Sequence, residues 1–298
     1  MADSSGQAEI RGIDINKIAT AFAEEDNIFK KFVTVTPTSA REIRWYQKTA
    51  GFLDSTDTTG ITASQIENTD FKSLPVVIEQ SWTRMTSYVR KYFVESPIIS
   101  DEDIRDTDID ILATNIHDLT RAVARRVDAR IFSVMSQDGL ATSINSVTMA
   151  IATESSGAWN TTAANPINDI MLAKQKIRSY GYNPEGGVLF LNSVTHKNLL
   201  TWLITTKGSS IPAFASEKMG SGVVHELLGV RVVVSENVTS NFGCLYANGG
   251  VRWKTFVPLT ARTVEEVGIG TKIRIWEEGE ALLENPRSIC LLSGVGTA

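Results

Sequence analysis

Residues 112–134, LATNIHDLTRAVARRVDARIFSV, carry the strongest helical pattern in this chain of 298 residues. Apolar side chains recur every three or four positions, which places them on one face of a helix of roughly seven turns. The apolar positions are Leu112, Ile116, Leu119, Val123, Val127, Ile131 and Val134. At about 1.5 Å per residue the helix spans on the order of 40 Å, which is long for a compact domain.

The sequence before this helix contains several patterns that are typical of β-strands. Ile43 and Trp45 alternate with Arg44 and Tyr46, and Ser81–Val94 is rich in aromatic and β-branched residues. Between these runs, Asp54–Gly60 has no apolar residue and has strong turn chemistry. The pattern predicts a long two-stranded β-arm with a mobile tip. Because an isolated hairpin is only marginally stable in water, this arm requires a partner surface.

The first residues of the chain form a weaker pattern. Ile15, Ile18 and Phe22 fit one short helical face, but no longer apolar stripe follows them. This segment cannot bury much apolar surface by itself. We therefore expect an arm that packs on another part of the assembly.

The chain beyond Gly139 changes to alternating helices and strands. Pro166 and Gly181 bound one predicted helix, and Ser193 is the predicted N-cap of a second helix at Val194–Thr206. The run Val188–Leu191 between them predicts a buried strand. A turn followed by a strand is predicted at Leu228–Val238. Further strands are predicted at Cys244–Ala247, Val251–Pro258, Lys272–Trp276 and Ser288–Leu292.

Composition excludes several classes of protein. The chain has 29 basic and 34 acidic residues and a net charge of −5, which argues against a dedicated nucleic-acid binder. Two cysteines, Cys244 and Cys290, are too few for a disulfide framework or a thiolate zinc site, so buried free thiols are expected. The polar start of the chain predicts no signal peptide, and no apolar run is long enough to span a membrane. An intracellular, reducing setting is the expectation.

The usual catalytic and binding motifs are absent from the sequence. The chain has no Walker-type loop and no GxSxG elbow, and Gly268-Ile-Gly270 fits a turn better than a nucleotide site. The acidic run Asp101–Asp110 lacks the EF-hand pattern and fits a helix start. None of His117, His196 and His225 has neighbours at metal-ligand spacing. We therefore predict no catalytic, cofactor-binding or metal-binding residues and no cofactor.

Two other residue sets have structural interpretations. The arginines of the long helix form two basic strips, interpreted as a solvated or subunit-facing side; they are Arg121, Arg125, Arg126 and Arg130. The six tryptophans are interpreted as packing residues and not as a base-stacking platform; they are Trp45, Trp82, Trp159, Trp202, Trp253 and Trp276.

Two stretches resemble a known family. They are Asn168–Leu203, NDIMLAKQKIRSYGYNPEGGVLFLNSVTHKNLLTWL, and Leu227–Val238, LLGVRVVVSENV. Both are similar to the axial domain of tailed-bacteriophage major capsid proteins, whose Hong Kong-type fold is shared with encapsulins. The order of elements along nearly the whole chain is similar as well. The resemblance implies an α+β fold with an N-terminal arm, an extended β-hairpin loop, a long spine helix in a peripheral domain and an α/β axial domain.

The resemblance also implies boundaries for these parts. Residues 1–38 would be the N-terminal arm and 39–100 the extended loop. Residues 101–137 would be the spine helix of the peripheral domain. Residues 138–268 would be the axial domain, and 269–298 the returning strands of the peripheral domain.

The function implied by the resemblance is structural and not enzymatic. Subunits of this family assemble as hexamers and pentamers into an icosahedral shell, which encloses double-stranded DNA without sequence-specific contacts. The expected location is the virion capsid, and assembly is expected in the host cytoplasm. No membrane is expected as a partner. Portal and decoration proteins are further partners that the resemblance implies.

Two features of some relatives are not expected in this chain. Only residues 1–38 precede the predicted β-arm, so a separate scaffolding protein, or none, is expected in place of a cleaved N-terminal scaffolding segment. Some relatives form a covalent crosslink from a lysine of the extended loop. Lys48 and Lys72 are available here, but no local motif marks either, so no crosslink is assigned.

Three alternatives stay open at the level of sequence. The first is an encapsulin-like compartment, which has the same fold but holds protein cargo. The second is a soluble α/β enzyme with a β-rich appendage, which would require convergent titratable groups in a pocket. The third is another virion component, such as a decoration or tail protein.

Overall fold

The computed structural model describes residues 17, 19–21, 23, 27–50, 71–72, 74, 81–100, 102, 111–136, 145–148, 158–161, 164–205, 226–239 and 241–296. The chain divides into two compact units. The first unit contains residues 1–43, 86–131 and 253–282, and the second contains residues 44–85, 132–252 and 283–298.

Helices and strands mix in the way that the α+β fold class predicts. The α-helices are α1 (Ile111–Ser136), α2 (Pro166–Ser179) and α3 (Ser193–Thr205). The strands are β1 (Thr34–Pro37), β2 (Glu42–Ala50), β3 (Ser81–Tyr88), β4 (Arg90–Glu95), β5 (Ile99–Ser100), β6 (Asn145–Thr148), β7 (Val188–Leu191), β8 (Glu226–Leu227), β9 (Val230–Val234), β10 (Phe242–Tyr246), β11 (Val251–Glu266), β12 (Gly270–Leu283) and β13 (Ile289–Ser293). Within the described residues, no helix is long and apolar enough to cross a membrane.

The predicted long helix is confirmed as α1, although its buried face differs from the predicted stripe. Leu119 and Val134 are only half-buried, whereas their neighbours Thr120 and Met135 are fully buried. The buried face also includes Asp128, which the apolar pattern omitted. With Thr120 and Met135 in place of Leu119 and Val134, the buried positions still recur every three or four residues, as one face of a helix requires.

The first unit contains a five-stranded sheet in the order β1-β11-β12-β4, with β5 also paired to β12. The two central strands are much longer than their predicted segments Val251–Pro258 and Lys272–Trp276. They are joined by a turn at Gly268, and Gly268-Ile-Gly270 is therefore a strand connection as predicted.

The second strand of the predicted β-arm ends earlier than its sequence pattern indicates. Only β2 and β3 form the two-stranded sheet, because the run Ser81–Val94 is interrupted at Val89. Its second part, β4, pairs antiparallel with β12, where Val94 faces Ile275. Alternation on β2 is as predicted: Ile43 is buried and Arg44 and Tyr46 are exposed.

The second unit contains a six-stranded mixed sheet in the order β6-β13-β10-β7-β9-β8. Its strands β7 and β10 lie side by side, and Cys244 faces Phe190. Helices α2 and α3 contribute Ile170, Ile177 and Trp202 to the apolar core of this unit. Strand β13 belongs to this sheet, whereas β12 lies in the sheet of the first unit, so the returning strands of residues 269–298 divide between two sheets.

Helix α2 begins as predicted, but the cap of α3 is not the predicted residue. Pro166 is the first residue of α2, and the Asn165 side chain accepts a hydrogen bond from Asn168 N at 3.4 Å. At α3 the side chain of Asn192 accepts from Val194 N at 3.0 Å, so Asn192 caps this helix and not Ser193. The amide oxygen supplies the acceptor that a helix start needs.

Several predicted features lie outside the described residues. They are the helical face of Ile15, Ile18 and Phe22, the turn Asp54–Gly60, nearly all of the acidic run Asp101–Asp110, and His225.

Gly279 on β12 is required by a large buried ring. A Cβ atom at this position would lie 2.5 Å from Cζ2 of Trp253 and 2.8 Å from the backbone oxygen of Lys254. We expect Gly279→Ala to lower the free energy of unfolding by about 1–3 kcal/mol, because the fully buried indole must move. Urea denaturation of the unassembled subunit measures this. Thr271→Ala on the same strand is the control, and equal stability of both variants would contradict the expectation.

Candidate functional site

A buried carboxylate on α1 holds the N-terminal segment of the first unit. Asp128 Oδ2 accepts hydrogen bonds from Ile28 N at 2.5 Å and Phe29 N at 3.2 Å. Its Oδ1 accepts from Lys30 N at 3.2 Å. These amides belong to the start of the 3-10 turn Phe29–Lys31, where backbone donors have no partner within the turn. Asp128 therefore caps a turn that lies about 100 residues away in sequence.

The environment of Asp128 has opposing effects on its pKa. Burial raises the pKa of this carboxyl above its ordinary value, and it outweighs the three amide bonds and the Lys30 ammonium, which act to lower the pKa.

Two glutamates on β12 are buried and paired in the same unit. Glu277 accepts from Lys30 Nζ at 2.6 Å and from the Trp253 indole at 3.2 Å. Glu280 accepts from Arg130 Nε at 2.9 Å, and Arg90 Nε lies 3.1 Å from its other oxygen. A buried carboxylate without such partners would be strongly destabilising.

Tyr92 on β4 lies beside these groups. Burial, followed by the negative charge of Glu280, raises the pKa of Tyr92 to about 12. This phenol therefore stays neutral at physiological pH. The cluster forms a structural junction between the N-terminal segment, α1, β4 and β12.

The arginines of α1 do not all have the predicted role. Arg130 donates to the buried Glu280, so the interpretation of a solvated or subunit-facing side is wrong for this residue. Arg121, Arg125 and Arg126 are exposed. A sequence signal existed for one of the two glutamates: Glu277 is in step with the apolar Ile273 and Ile275 of β12, which places it on the buried face, whereas Glu280 is out of step with them.

In contrast to the buried cluster around Asp128, Glu277 and Glu280, the two-stranded sheet of β2 and β3 has many exposed side chains. Trp82–Met85 are consecutive exposed residues of β3, so side chains on both faces of this strand are exposed. Trp82 is 52% exposed and Tyr46 on β2 is 62% exposed. At its base, the Trp45 indole donates to Leu283 O at 3.0 Å. The other tryptophans are buried or half-buried as predicted, and Trp82 is the exception.

Cysteine and histidine side chains are the groups that most often act as nucleophiles, acid–base groups or metal ligands, and their surroundings in this protein are as follows. Cys244 and Cys290 are buried free thiols, as expected, and burial raises the pKa of both, that of Cys290 to about 12. Burial lowers the pKa of His196, and His117 Nδ1 lies 3.4 Å from a carboxylate oxygen of Asp118. Among the described residues, no three His, Cys, Asp or Glu side chains are grouped to hold a metal ion.

Solved structures with the same fold are particle and capsid proteins. The virus-like particle from Pyrococcus furiosus is 12% identical, with a TM-score of 0.61 over 95% of this chain and 99% of that chain. The capsid of Cyanophage P-SCSP1u is 12% identical, with a TM-score of 0.64 over 91% of this chain and 89% of that chain. A structure from Mycobacterium phage Che8 is 12% identical, with a TM-score of 0.61 over 91% and 92% of the two chains. A search of curated protein sequences finds no match.

The comparison with protein families defines the class. Residues 98–290, which are more than half of the chain, match the family described as phage capsid protein. The chain therefore belongs to the phage capsid protein family and has the fold of tailed-phage major capsid proteins. It is a structural subunit of a self-assembling shell, and its place is the virion capsid. The resemblance stated from the sequence is confirmed.

The attachment of the N-terminal segment to Asp128 is testable by substitution. We expect Asp128→Ala to lower the free energy of unfolding by about 2–4 kcal/mol, because three amides lose their acceptor. Asp128→Asn keeps one oxygen and should lose less. Because the pKa of Asp128 is raised on folding, the folded state takes up its proton first as the pH falls. Acidification through that pKa should therefore stabilise the wild type relative to Asp128→Asn.

Urea denaturation of the unassembled subunit between neutral and mildly acidic pH measures both effects. A pH-independent difference between wild type and Asp128→Asn, or an Asp128→Ala variant as stable as wild type, would contradict the assignment.

Proposed function

We propose that the chain assembles as hexamers and pentamers into an icosahedral shell that encloses double-stranded DNA. The single observation that carries this proposal is the match of residues 98–290 to the phage capsid protein family. The proposed role is structural and without catalysis. Assembly in the host cytoplasm, with a portal and with separate scaffolding or decoration proteins, belongs to the same proposal.

The uncovered strand β3 supports assembly through neighbouring subunits. Its exposed Trp82 and Met85, together with Tyr46 of β2, would lie in water if the subunit stayed alone. Trp82 and Met85 project from opposite faces of β3, and exposed apolar side chains of this size favour an interaction surface. Many modest contacts repeated around a closed shell then stabilise it through multivalency.

The charge of the chain is compatible with enclosed DNA. A net charge of −5 offers no basic footprint for tight nucleic-acid binding. A wall of this charge confines DNA without holding it by sequence-specific contacts. We also propose the boundaries that the resemblance implies: residues 1–38 as arm, 39–100 as extended loop, 101–137 as the peripheral-domain spine helix, 138–268 as axial domain and 269–298 as the returning peripheral strands.

An encapsulin-like compartment is the second candidate function. The observation that favours it is the likeness to the virus-like particle from Pyrococcus furiosus, which covers 95% of this chain and 99% of that chain. The particle protein has a similar fold, and the fold by itself does not show whether a shell encloses a genome or protein cargo.

Substitution of the exposed tryptophan tests the assembly role of β3. We expect Trp82→Ser to leave the stability of the unassembled subunit nearly unchanged, because the side chain is half exposed. The concentration needed for assembly should rise by about tenfold or more, since the loss is repeated at every subunit. Light scattering and electron microscopy measure assembly. Val194→Ser, at an exposed valine of α3, is the matched control.

If Trp82→Ser assembles as the wild type does, β3 is not an assembly contact. A wild-type subunit that stays monomeric under all assembly conditions would contradict the shell itself.

The contents of purified particles separate the two candidate functions. Particles from infected cells, treated with nuclease on the outside, should retain double-stranded DNA, which absorbance and gel electrophoresis detect. Mass spectrometry of the same particles should find portal protein and no abundant enclosed enzyme. Nuclease-treated particles that hold protein cargo and no DNA would favour the compartment.

A further inference from the structure

Leu228 adopts a backbone conformation that its residue type disfavours. Its φ is 56° and that of Gly229 is 72°, and these two residues form the tight turn between β8 and β9. Turns with two positive φ values favour Asn-Gly, because most other side chains are strained there. Over the part of the chain that the structure describes, Leu228 is the one non-glycine residue with positive φ. The turn alone therefore gives no reason for a leucine.

Packing within the subunit accounts for only part of the Leu228 side chain. This side chain is 37% exposed, and Met171 on α2, which lines the same groove, is 55% exposed. The groove has a volume of about 490 Å³ and lies between α2 and the β8–β9 turn. A partly exposed leucine in a strained turn, beside an exposed methionine, is typical of a binding contact.

Polar contacts hold the walls of this groove in place. Lys174 Nζ donates to Leu228 O at 2.7 Å and to the Glu185 carboxylate at 3.0 Å. Gly186 N donates to Gly229 O at 3.1 Å. The turn is therefore tied to α2 and to the loop before β7, and the groove is formed before any partner binds.

The groove is lined by two positively charged side chains and one carboxylate. Lys174 and Arg178 both pair with the single carboxylate of Glu185, with Arg178 Nη2 2.5 Å from Glu185 Oε1. One positive charge remains in excess among these three groups. Arg178 is the more exposed of the two cations, with 58% of its side chain accessible, so it is the one available to a further carboxylate.

We propose that this groove is a contact between copies of the chain. Leu228 and Met171 receive an apolar side chain of a second copy, and Arg178 pairs with a carboxylate of that copy. A second copy is the favoured occupant because the subunit belongs to a self-assembling shell and because its surplus of acidic residues, 34 against 29 basic, complements the positive groove. The inference rests on the proposed function.

Leu228→Asn separates assembly from folding. Asparagine tolerates positive φ better than leucine, so the unassembled variant should unfold at the same or a higher urea concentration than wild type. The concentration needed for assembly should rise by about tenfold, because each subunit loses an apolar contact. Arg178→Gln should also weaken assembly and reduce its dependence on salt. Val194→Asn is the control for an exposed apolar residue of the same unit.

The outcomes are distinct. A Leu228→Asn variant that is less stable but assembles normally would overturn the inference and assign Leu228 to packing. A variant that assembles normally but loses a protein that co-purifies with wild-type particles would place a different partner in the groove, and this too would overturn it. Failure of the wild type itself to assemble would instead contradict the proposed shell.

Discussion

The compensation of buried carboxylates is the constraint on which the first unit depends. Asp128, Glu277 and Glu280 lie where water cannot solvate them, and each is matched by donors from a distant part of the sequence. Leaving any of them unpaired would cost several kcal/mol. The N-terminal turn, α1 and β12 must therefore be in their native positions together. Lys30 supplies two of these donors: its backbone amide donates to Asp128 and its side-chain ammonium donates to Glu277.

The second unit is held together differently. Its core is an apolar cluster in which α2 and α3 pack with a mixed sheet, and its buried tryptophans donate to Asp169 and to Ala164 O. The sheet of β2 and β3 buries Ile43 near its start, whereas Tyr46 and Trp82 further along it are exposed. A two-stranded sheet with exposed aromatic side chains is suited to stabilisation by neighbouring subunits, which matches the membership of a capsid family.

Local patterns predicted most elements of the fold. The stripe from Leu112 to Val134 predicted α1, and Pro166, Gly181 and Val188–Leu191 predicted α2 and β7, because each signal lies within a few residues of its effect. The polar segment that forms β6, Asn145–Thr148, gave no strand signal. The end of the hairpin at Val89 was not predictable either. Ser81–Val94 reads as one strand, and only its pairing with β12 divides it.

The sequence by itself determined the fold class, the type of most elements and the resemblance to capsid proteins, since these follow from periodicity and turn chemistry along the chain. It did not reveal the junction of Asp128, Glu277 and Glu280, or the exposure of Trp82, Leu228 and Met171. An aspartate on a helix or a tryptophan on a strand has no fixed burial until other elements pack around it. Burial and pairing arise between residues as far apart as Lys30 and Glu277, and the tertiary structure alone decides them.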